Sequence, residues 1–410
     1  MSRAFVLFGS NIEPESNFAR ALALLRVRFE VVAVSPAYRT APAGDPDQAD
    51  FLNAAVELRS DETPEAIHAR LREIEALLGR RRDPQRPYGP RTADLDLVLV
   101  EGVTGSFGSL TLPAPILAEQ AFATVPMAAL APELLHPTLG VSLAELASRT
   151  VAATPRPPAV LEGEGPGEAT QRVALVTGGA VRIGRAIVEE LSNAGFTVAF
   201  TYRSSVEAAA ELSASLQRRG TPVLALQANL DEQAQRAQVI DAVLVQFGRL
   251  DVLVNNAATF PRTPFSSLTE GTFEAVLTTN LTAPVFLTRA AAGELRHRRG
   301  CVVNIADIYG VFPLSQHLAY SVSKAALIGA TKALAVELAP EVRVNAVAPG
   351  IALFPPGYDE ELKQRLLRRT LLQREGGASE IAAAVRYLVE GTATMTGQLL
   401  VIDGGRTVTL

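Results

Sequence analysis

Tyr320-Ser321-Val322-Ser323-Lys324 sets a phenol and an amine four residues apart, and on a helix such positions share a face. An ammonium beside a phenol favours phenolate and lowers its pKa, making the tyrosine a usable proton donor near neutral pH. Of 38 basic residues only Lys324, Lys332 and Lys363 are lysine. A lysine kept at 324 therefore marks a place for a compact ammonium that a guanidinium cannot replace. A second pair stands far upstream, in Gly89-Pro90-Arg91-Thr92-Ala93-Asp94-Leu95-Asp96-Leu97. Residues i and i+2 of a strand face one way, so Asp94 and Asp96 present two carboxylates together while Leu95, Leu97 and Leu99 turn to the core. Such a pair repels itself unless a cation sits between, and Mg²⁺ carried with a nucleotide is the usual occupant. Arg80, Arg81, Arg82, Arg86 and Arg91 stand beside it in a loop suited to a triphosphate; a solvated charged loop is the competing reading. No G-x-x-x-x-G-K-S/T occurs, which excludes P-loop chemistry.

The tyrosine and lysine come with further company. Thr177-Gly178-Gly179-Ala180-Val181-Arg182-Ile183-Gly184 follows a short apolar run and opens a helical one. Glycines at such a turn let the backbone approach a pyrophosphate, and the helix N-terminus offers free N–H groups and a positive dipole end. At the end of the next strand, where an NAD site carries an acid for the ribose hydroxyls, stand Tyr202-Arg203-Ser204-Ser205. An arginine with hydroxyls suits a 2'-phosphate, so the cofactor expected is NADPH rather than NADH. Asn255-Asn256-Ala257-Ala258 at a later strand end, and Asn280 in a helical stretch, complete the set in chain order.

Two kinds of scaffold must hold these groups. Phe5–Phe8, Glu30–Ala37, Asn53–Leu58 and Asp94–Val100 read as strands, and Ser16–Phe29 and Pro64–Leu78 as helices, the latter capped by Thr63. They interleave without a repeating strand-helix unit, which predicts an α+β layer. Downstream, Val173–Thr177, Thr197–Tyr202, Pro222–Gln227, Val252–Asn255, Val302–Ile305, Arg343–Val347 and Leu399–Ile402 are short apolar strands, most followed by helical periodicity. That alternation predicts an α/β Rossmann fold, a doubly wound parallel sheet. Between the two parts, residues 150–170 carry Pro155, Pro157, Pro158, Gly163, Gly165, Pro166 and Gly167, which is linker chemistry. The expected domains are 1–149 and 171–410.

At 410 residues the chain is long enough for two cores, and 48% hydrophobic content with a net charge of -5 places it among globular proteins. Nucleic acid is not an expected partner. No run approaches a membrane span, and a single Cys301 fits a reducing cytoplasm.

From Arg172 to Leu410 the glycine turn, Asn-Asn-Ala strand end, Asn280 and Tyr-x-x-x-Lys together closely resemble the short-chain dehydrogenase/reductase family. The resemblance implies catalytic Tyr320 and Lys324, a relay completed by Asn280, and cofactor contacts from Thr177, Gly178, Arg182, Ile183, Gly184, Arg203, Ser204, Asn255, Ala257, Pro349 and Gly350. Thirteen residues before the tyrosine, where that family usually has Ser, stands Asp307. With Arg182 in the glycine motif and Phe260 after the strand end, this looks like the pteridine and dihydrofolate reductases. In that subgroup Phe260 would stack a flat pterin over the nicotinamide, Arg182 would reach phosphate and substrate, and Asp307 beside Tyr320 would pass a proton to the ring nitrogen. A generic carbonyl reductase is the alternative.

Gly9-Ser10-Asn11, Tyr38 to Gly44, Asp47-Gln48, Phe51-Leu52-Asn53, Glu75 and Gly79-Arg80 resemble 6-hydroxymethyl-7,8-dihydropterin pyrophosphokinase over about Phe5 to Leu146, a ferredoxin-like domain. There Thr40 and Asn53 would hold the pterin, with Phe122 and either Tyr88 or Phe51 near its ring. Arg80, Arg82 and Arg91 would meet the substrates, and Asp94 and Asp96 would hold two Mg²⁺ that bridge ATP and the pterin hydroxymethyl. One segment departs: Pro113-Ala114-Pro115 and Gln120 stand where that family has His and Arg. Two lost charge-assisted contacts at roughly 1.5 to 3 kcal/mol each remove about 3 to 6 kcal/mol, or roughly 10² to 10⁴ in rate or affinity. A non-catalytic pterin-binding or scaffolding module is therefore the alternative for this part. Resemblance also implies a homotetramer assembled through the reductase helices.

Overall fold

The computed structural model describes residues 1–42, 47–82, 86, 89–161, 171–354 and 357–408. The chain divides into two compact units, one of Met1–Ala169 with Leu244–Gly248 and the other of Thr170–Val243 with Arg249–Leu410.

The first unit runs β1 (Ser2–Ser10), α1 (Pro14–Arg28), β2 (Glu30–Val34), β3 (Tyr38–Thr40), β4 (Phe51–Ser60), α2 (Pro64–Leu77), β5 (Asp94–Val100), the hairpin β6 (Gly105–Phe107) and β7 (Leu110–Leu112), α3 (Ile116–Glu119), α4 (Ala121–Leu130), α5 (Leu143–Ala152) and β8 (Ala159–Val160). Its main sheet is ordered β5-β1-β4-β3-β8, with β2 also on β4, and every pairing is antiparallel. Since β1 and β2 both oppose β4, and β4 and β5 both oppose β1, helices α1 and α2 are crossovers between parallel strands one place apart. β1 shows an unbroken apolar run because both of its faces are covered. Phe5 and Leu7 pack with Leu117, Met127 and Leu143 from α3, α4 and α5, while the Phe8 ring meets Phe18 of α1 at 4.8 Å. α2 starts where expected, the Thr63 side chain accepting from the Ala66 N–H at 3.3 Å, and the chain leaves it through Gly79 at φ 76°.

The expected linker over 150–170 needs correcting. Thr150, Val151 and Ala152 finish α5, Ala159 and Val160 pair with Arg39 and Tyr38, and the Leu161 N–H donates to the Ala37 carbonyl at 2.9 Å. Prolines are tolerated here because β8 is a two-residue edge strand. Residues 162–170 lie outside the described ones.

The second unit continues β9 (Val173–Val176), α6 (Arg182–Asn193), β10 (Thr197–Tyr202), α7 (Val206–Arg218), β11 (Val223–Gln227), α8 (Gln233–Phe247), β12 (Val252–Asn255), α9 (Glu270–Leu277), α10 (Ala283–Arg298), β13 (Cys301–Ile305), α11 (Leu318–Leu338), β14 (Arg343–Pro349), α12 (Glu360–Leu367), α13 (Gly377–Arg386) and β15 (Leu399–Ile402). The sheet order is β11-β10-β9-β12-β13-β14-β15, parallel throughout. β9 and β12 are wholly buried, as strands covered by helices on both faces must be. The order reverses between β9 and β12, which opens a crevice at the carboxyl ends of the strands. Among the described residues no helix is long and apolar enough to cross a membrane.

Candidate active sites

The crevice of the second unit is a cavity of about 320 Å³ lined by Gly178, Arg182, Ile183, Gly184, Arg203, Asp231, Asn256, Ala257 and their neighbours. Its floor is the glycine turn. Gly178 sits at φ 62°, and a Cβ on Gly184 would stand 2.1 Å from the Gly178 carbonyl oxygen, so no other residue fits. The Thr177 hydroxyl accepts from the Asn256 and Ala257 N–H groups, both at 2.9 Å. The Asn256 amide in turn donates to the carbonyls of Thr177 at 2.8 Å and Gly178 at 3.0 Å. α6 begins without a side-chain cap, leaving its first N–H groups for an anion. Arg182 is held at φ 54°, a left-handed strain stored at a site, and its guanidinium reaches the Leu353 carbonyl at 3.2 Å. Arg203 lies at the rim, 62% exposed and paired with Asp231 at 3.1 Å; Asp231 also accepts from the Thr279 hydroxyl at 2.7 Å.

Three residues expected to contact the cofactor lie outside the lining of this cavity. The Asn255 side chain is buried under the sheet end, donating to Asn304 Oδ1 at 2.9 Å and the Thr288 hydroxyl at 3.2 Å; it is Asn256 that lines the cavity. Pro349 and Gly350 do not line it either. Gly350 donates to the Ile402 carbonyl at 2.9 Å and abuts Asp403, whose Cα would lie 2.7 Å from an added Cβ. Ser204 is exposed beside the lining residue Arg203. Sequence reading passed over Asp231 and, within the Asn255-Asn256-Ala257 strand end it singled out, gave the contact to Asn255 rather than Asn256.

Asp307 follows β13 and Tyr320 and Lys324 sit one turn apart on α11. The Tyr320 hydroxyl donates to Asp307 Oδ2 at 2.8 Å, and Oδ1 accepts from the Tyr309 N–H at 2.8 Å. Lys324 Nζ donates to the Ile305 carbonyl at 2.7 Å and lies 5.7 Å from the Tyr320 ring centre. Burial brings Lys324 down to about 8, against the opposing pull of Asp307. Burial also pushes Asp307 up, against Tyr309, Tyr320, Lys324 and Arg406. The expectation that Lys324 lowers the tyrosine is overturned: burial and then the Asp307 charge push Tyr320 well up. Asn280 is fully buried in a π-helical turn over Thr278–Thr282, a local irregularity common at functional sites. Its amide donates to the Thr259 carbonyl and Ser323 hydroxyl, both at 3.0 Å, and accepts from the Thr259 N–H at 2.8 Å. These contacts clamp the segment bearing Phe260 against α11. Phe260, 41% exposed, meets Tyr320 edge-on at 4.5 Å and stacks on His317 at 4.6 Å with 14° between planes. No spacing rule links residues 260 and 317, so the histidine escaped notice.

In the first unit a cavity of about 330 Å³ is lined by Gly9, Thr40, Phe51, Asn53, Arg91, Asp94, Asp96, Glu119, Gln120, Phe122 and their neighbours. Asn53 donates to the Thr40 hydroxyl at 2.7 Å, and Gly9 leaves the room its amide needs, an added Cβ standing 3.0 Å from Asn53 Oδ1. Asn11 Oδ1 accepts from the Arg91 N–H at 2.8 Å, tying the arginine loop to the end of β1. Arg91 covers the Phe51 ring at 5.4 Å and pairs with Asp94, as does Arg80. Burial pushes Asp94 up, but Arg80 and Arg91 prevail and hold it below the usual range. Asp96 is pushed up by burial and by Asp94. Such a self-repelling pair is what a divalent cation relieves. Among the described residues no cluster of three ligating side chains exists, so phosphates and water would fill the remaining positions, as suits Mg²⁺. Arg80 and Arg82 are not among the lining residues: Arg80 bridges Glu75, at 2.9 Å, and the lining residue Asp94, while Arg82 turns to Glu75 at 3.1 Å. Glu75 also takes Arg72 at 2.8 Å and the Leu95 N–H at 2.9 Å, fixing α2 against β5. Among the described lining residues Arg91 is the lone cation, and Glu119 and Gln120 occupy the wall beside Phe122. Tyr88 lies outside the described residues.

A glycine turn, a strand-end crevice and a buried Tyr-Lys pair define a nucleotide-dependent oxidoreductase, and the comparisons agree. The family model described as enoyl-(acyl carrier protein) reductase matches residues 179–407, over half of the chain, and the chain belongs to this short-chain reductase family. Residues 5–132 match the model for 7,8-dihydro-6-hydroxymethylpterin-pyrophosphokinase, so a pyrophosphokinase domain is fused ahead of an NAD(P)-dependent reductase domain. Among curated proteins, 3-oxoacyl-(acyl-carrier-protein) reductase of Staphylococcus aureus is 35% identical over 238 residues, 57% of this chain and 96% of that protein. Tropinone reductase-like 3 of Erythroxylum coca is 34% identical over 244 residues, 57% of this chain and 92% of its own. A blue fluorescent protein from a metagenomic library, solved in complex with NADPH, is similar at TM-score 0.55 and 33% identity, covering 57% of this chain and 97% of that one.

Proposed function

We propose that the protein is a bifunctional enzyme of pterin and folate metabolism, whose reductase domain uses NADPH to reduce a dihydropterin or dihydrofolate. The observation that carries this reading is the Asp307 carboxylate 2.8 Å from the Tyr320 hydroxyl. A carbonyl reductase needs a neutral hydroxyl beside its tyrosine to hold a ketone oxygen. A C=N bond needs a proton delivered to nitrogen, and a buried carboxyl pushed toward its acid form supplies one through the phenol. NADPH, when bound, supplies the hydride. Gly178, Gly184 and the α6 N-terminus would hold its pyrophosphate, and Arg203, tethered by Asp231, its 2'-phosphate. The Phe260–His317 stack offers a flat aromatic wall beside Tyr320 that suits a bicyclic ring. Asp307→Ser tests the assignment: it should lose dihydropterin reduction by roughly 10² or more and gain activity on keto thioesters.

The resemblance to a 3-oxoacyl-(acyl-carrier-protein) reductase favours a second reading, reduction of a β-keto thioester, in which case Asp307→Ser would change thioester reduction little.

For the first domain we infer transfer of diphosphate from ATP to 6-hydroxymethyl-7,8-dihydropterin. Thr40, Asn53, Phe51 and Phe122 would hold the pterin; Asp94 and Asp96 would hold Mg²⁺, which neutralises the transferring phosphates. Positioning and charge neutralisation then do the catalysis. The strand order β5-β1-β4-β2, with α1 and α2 as crossovers, supports the ferredoxin-like reading. AMP release from MgATP and this pterin, above an Asp94→Ala, Asp96→Ala blank, is the expected result; equality with the blank would make the domain a binding or scaffolding module. The tetramer we infer through the reductase domain is tested by sedimentation.

A further inference from the structure

Just past Phe260 the chain crosses the segment that leads into α11. The Thr263 N–H donates to the Gln316 carbonyl at 2.7 Å, Thr263 and His317 form an isolated parallel bridge, and the buried Thr263 hydroxyl accepts from the Ala319 N–H at 3.3 Å. At this crossing Arg262 donates from Nε to Gln316 Oε1 at 2.6 Å, and its Nη2 donates to the same oxygen. Gln316 is held at φ 63°, a left-handed conformation that a residue with a side chain keeps only where its surroundings enforce it. Both side chains are exposed. The amide that fixes the guanidinium is neutral and cancels none of its charge. Among the described residues no carboxylate pairs with Arg262, whereas Arg185, Arg203 and Arg386 of the same unit each hold one. Contacts lead from the reacting groups out to this cation. Tyr320 is 6% exposed, and Phe260, edge-on to it at 4.5 Å, is 41% exposed; His317 stacks on Phe260 at 4.6 Å and follows Gln316 in the chain. A ring lying on this wall with its reducible bond at Tyr320 must send its tail toward solvent, where the Gln316–Arg262 pair stands.

We propose that Arg262 is a specificity-determining residue of the reductase site, oriented by Gln316 to receive an anionic substrate tail. This rests on the reductase reading above and chooses within it: a dihydropterin whose tail ends in carboxylates, as in dihydrofolate, is favoured over one with a neutral hydroxylated tail. The guanidinium N–H groups that Gln316 does not use are left for a carboxylate, in the planar fork that suits it.

The test gives the full chain and its Arg262→Met, Arg262→Lys and Gln316→Met variants NADPH with dihydrofolate, dihydrobiopterin or acetoacetyl-coenzyme A, reading kcat and KM at low and high salt. Arg262→Met should raise KM for dihydrofolate at least roughly tenfold more than KM for dihydrobiopterin, the size of one lost charge-assisted contact. Its kcat should change little, as expected when an interaction is equally strong in ground and transition states. Salt should raise the wild-type KM for dihydrofolate, and most of that dependence should vanish in Arg262→Met. Arg262→Lys should keep part of the affinity, having the charge without the fork. Gln316→Met, which frees the arginine but leaves its charge, should fall between wild type and Arg262→Met. An equal KM shift for dihydrofolate and dihydrobiopterin would reduce the Arg262–Gln316 pair to a brace of the wall and overturn the proposal. A loss confined to acetoacetyl-coenzyme A, whose anions are phosphates, would overturn it too. A wild-type chain that reduces neither dihydropterin rejects the reductase reading itself, an outcome distinct from an active enzyme indifferent to residue 262.

Discussion

Asp307 and Tyr320 share a hydrogen bond, and burial disfavours charge on either. Asp307→Asn keeps the shape and removes the acid; kcat on a dihydropterin should fall by roughly 10², while NADPH binding followed by cofactor fluorescence stays unchanged. Lys324 sets a second expectation. Burial lowers it to about 8, so its ammonium, and with it the positive charge near the dyad, is present below that pH and lost above it. kcat/KM should therefore decline as pH rises past about 8, and a rate flat to well above that value would show the charge is not needed. The Tyr-Lys pairing was legible because helical spacing is local. The upward shift of Tyr320 was not, since it comes from burial and from a carboxylate thirteen positions away.

The turn from β9 to α6 shows what an element demands of its residues. A methyl group at 184 would meet the Gly178 oxygen at 2.1 Å and the Asn256 amide at 2.6 Å, so Gly184→Ala should cost about 1 to 3 kcal/mol by overpacking. NADPH affinity in titration should weaken at least roughly tenfold. The neighbouring Gly195, with nothing within 4 Å of an added Cβ but a φ of 86°, provides a comparison in which stability alone suffers. Strand limits over Thr197–Tyr202, Val252–Asn255, Asp94–Val100 and Leu399–Ile402 matched the structure residue for residue, because parallel or doubly covered strands are apolar runs bounded by polar ends. The π turn around Asn280 broke no periodicity and stayed invisible. α4 was hidden by Pro126 inside it, which normally argues against a helix. β8 lay in a proline-rich stretch that only its pairing with β3 identifies as structure.

Each site of the whole molecule is built from the residues of its own unit. Asp94→Ala with Asp96→Ala should abolish AMP release and leave NADPH oxidation at its wild-type rate, and Asp307→Asn should do the reverse; loss of both activities in either variant would show misfolding or coupling. Two-domain organisation was legible from the change in patterning near residue 150, whereas the boundary itself was displaced because pairing, not composition, decides where the first sheet ends. The most direct measurement is NADPH oxidation by the purified full chain with dihydrobiopterin or dihydrofolate, set against an acetoacetyl thioester under the same conditions. A kcat/KM at least roughly tenfold higher for the dihydropterin class is predicted, since Asp307 supplies a proton that a ketone site does not require. A preference of that size for the thioester would contradict the account and place this reductase domain with the ketoacyl reductases it resembles.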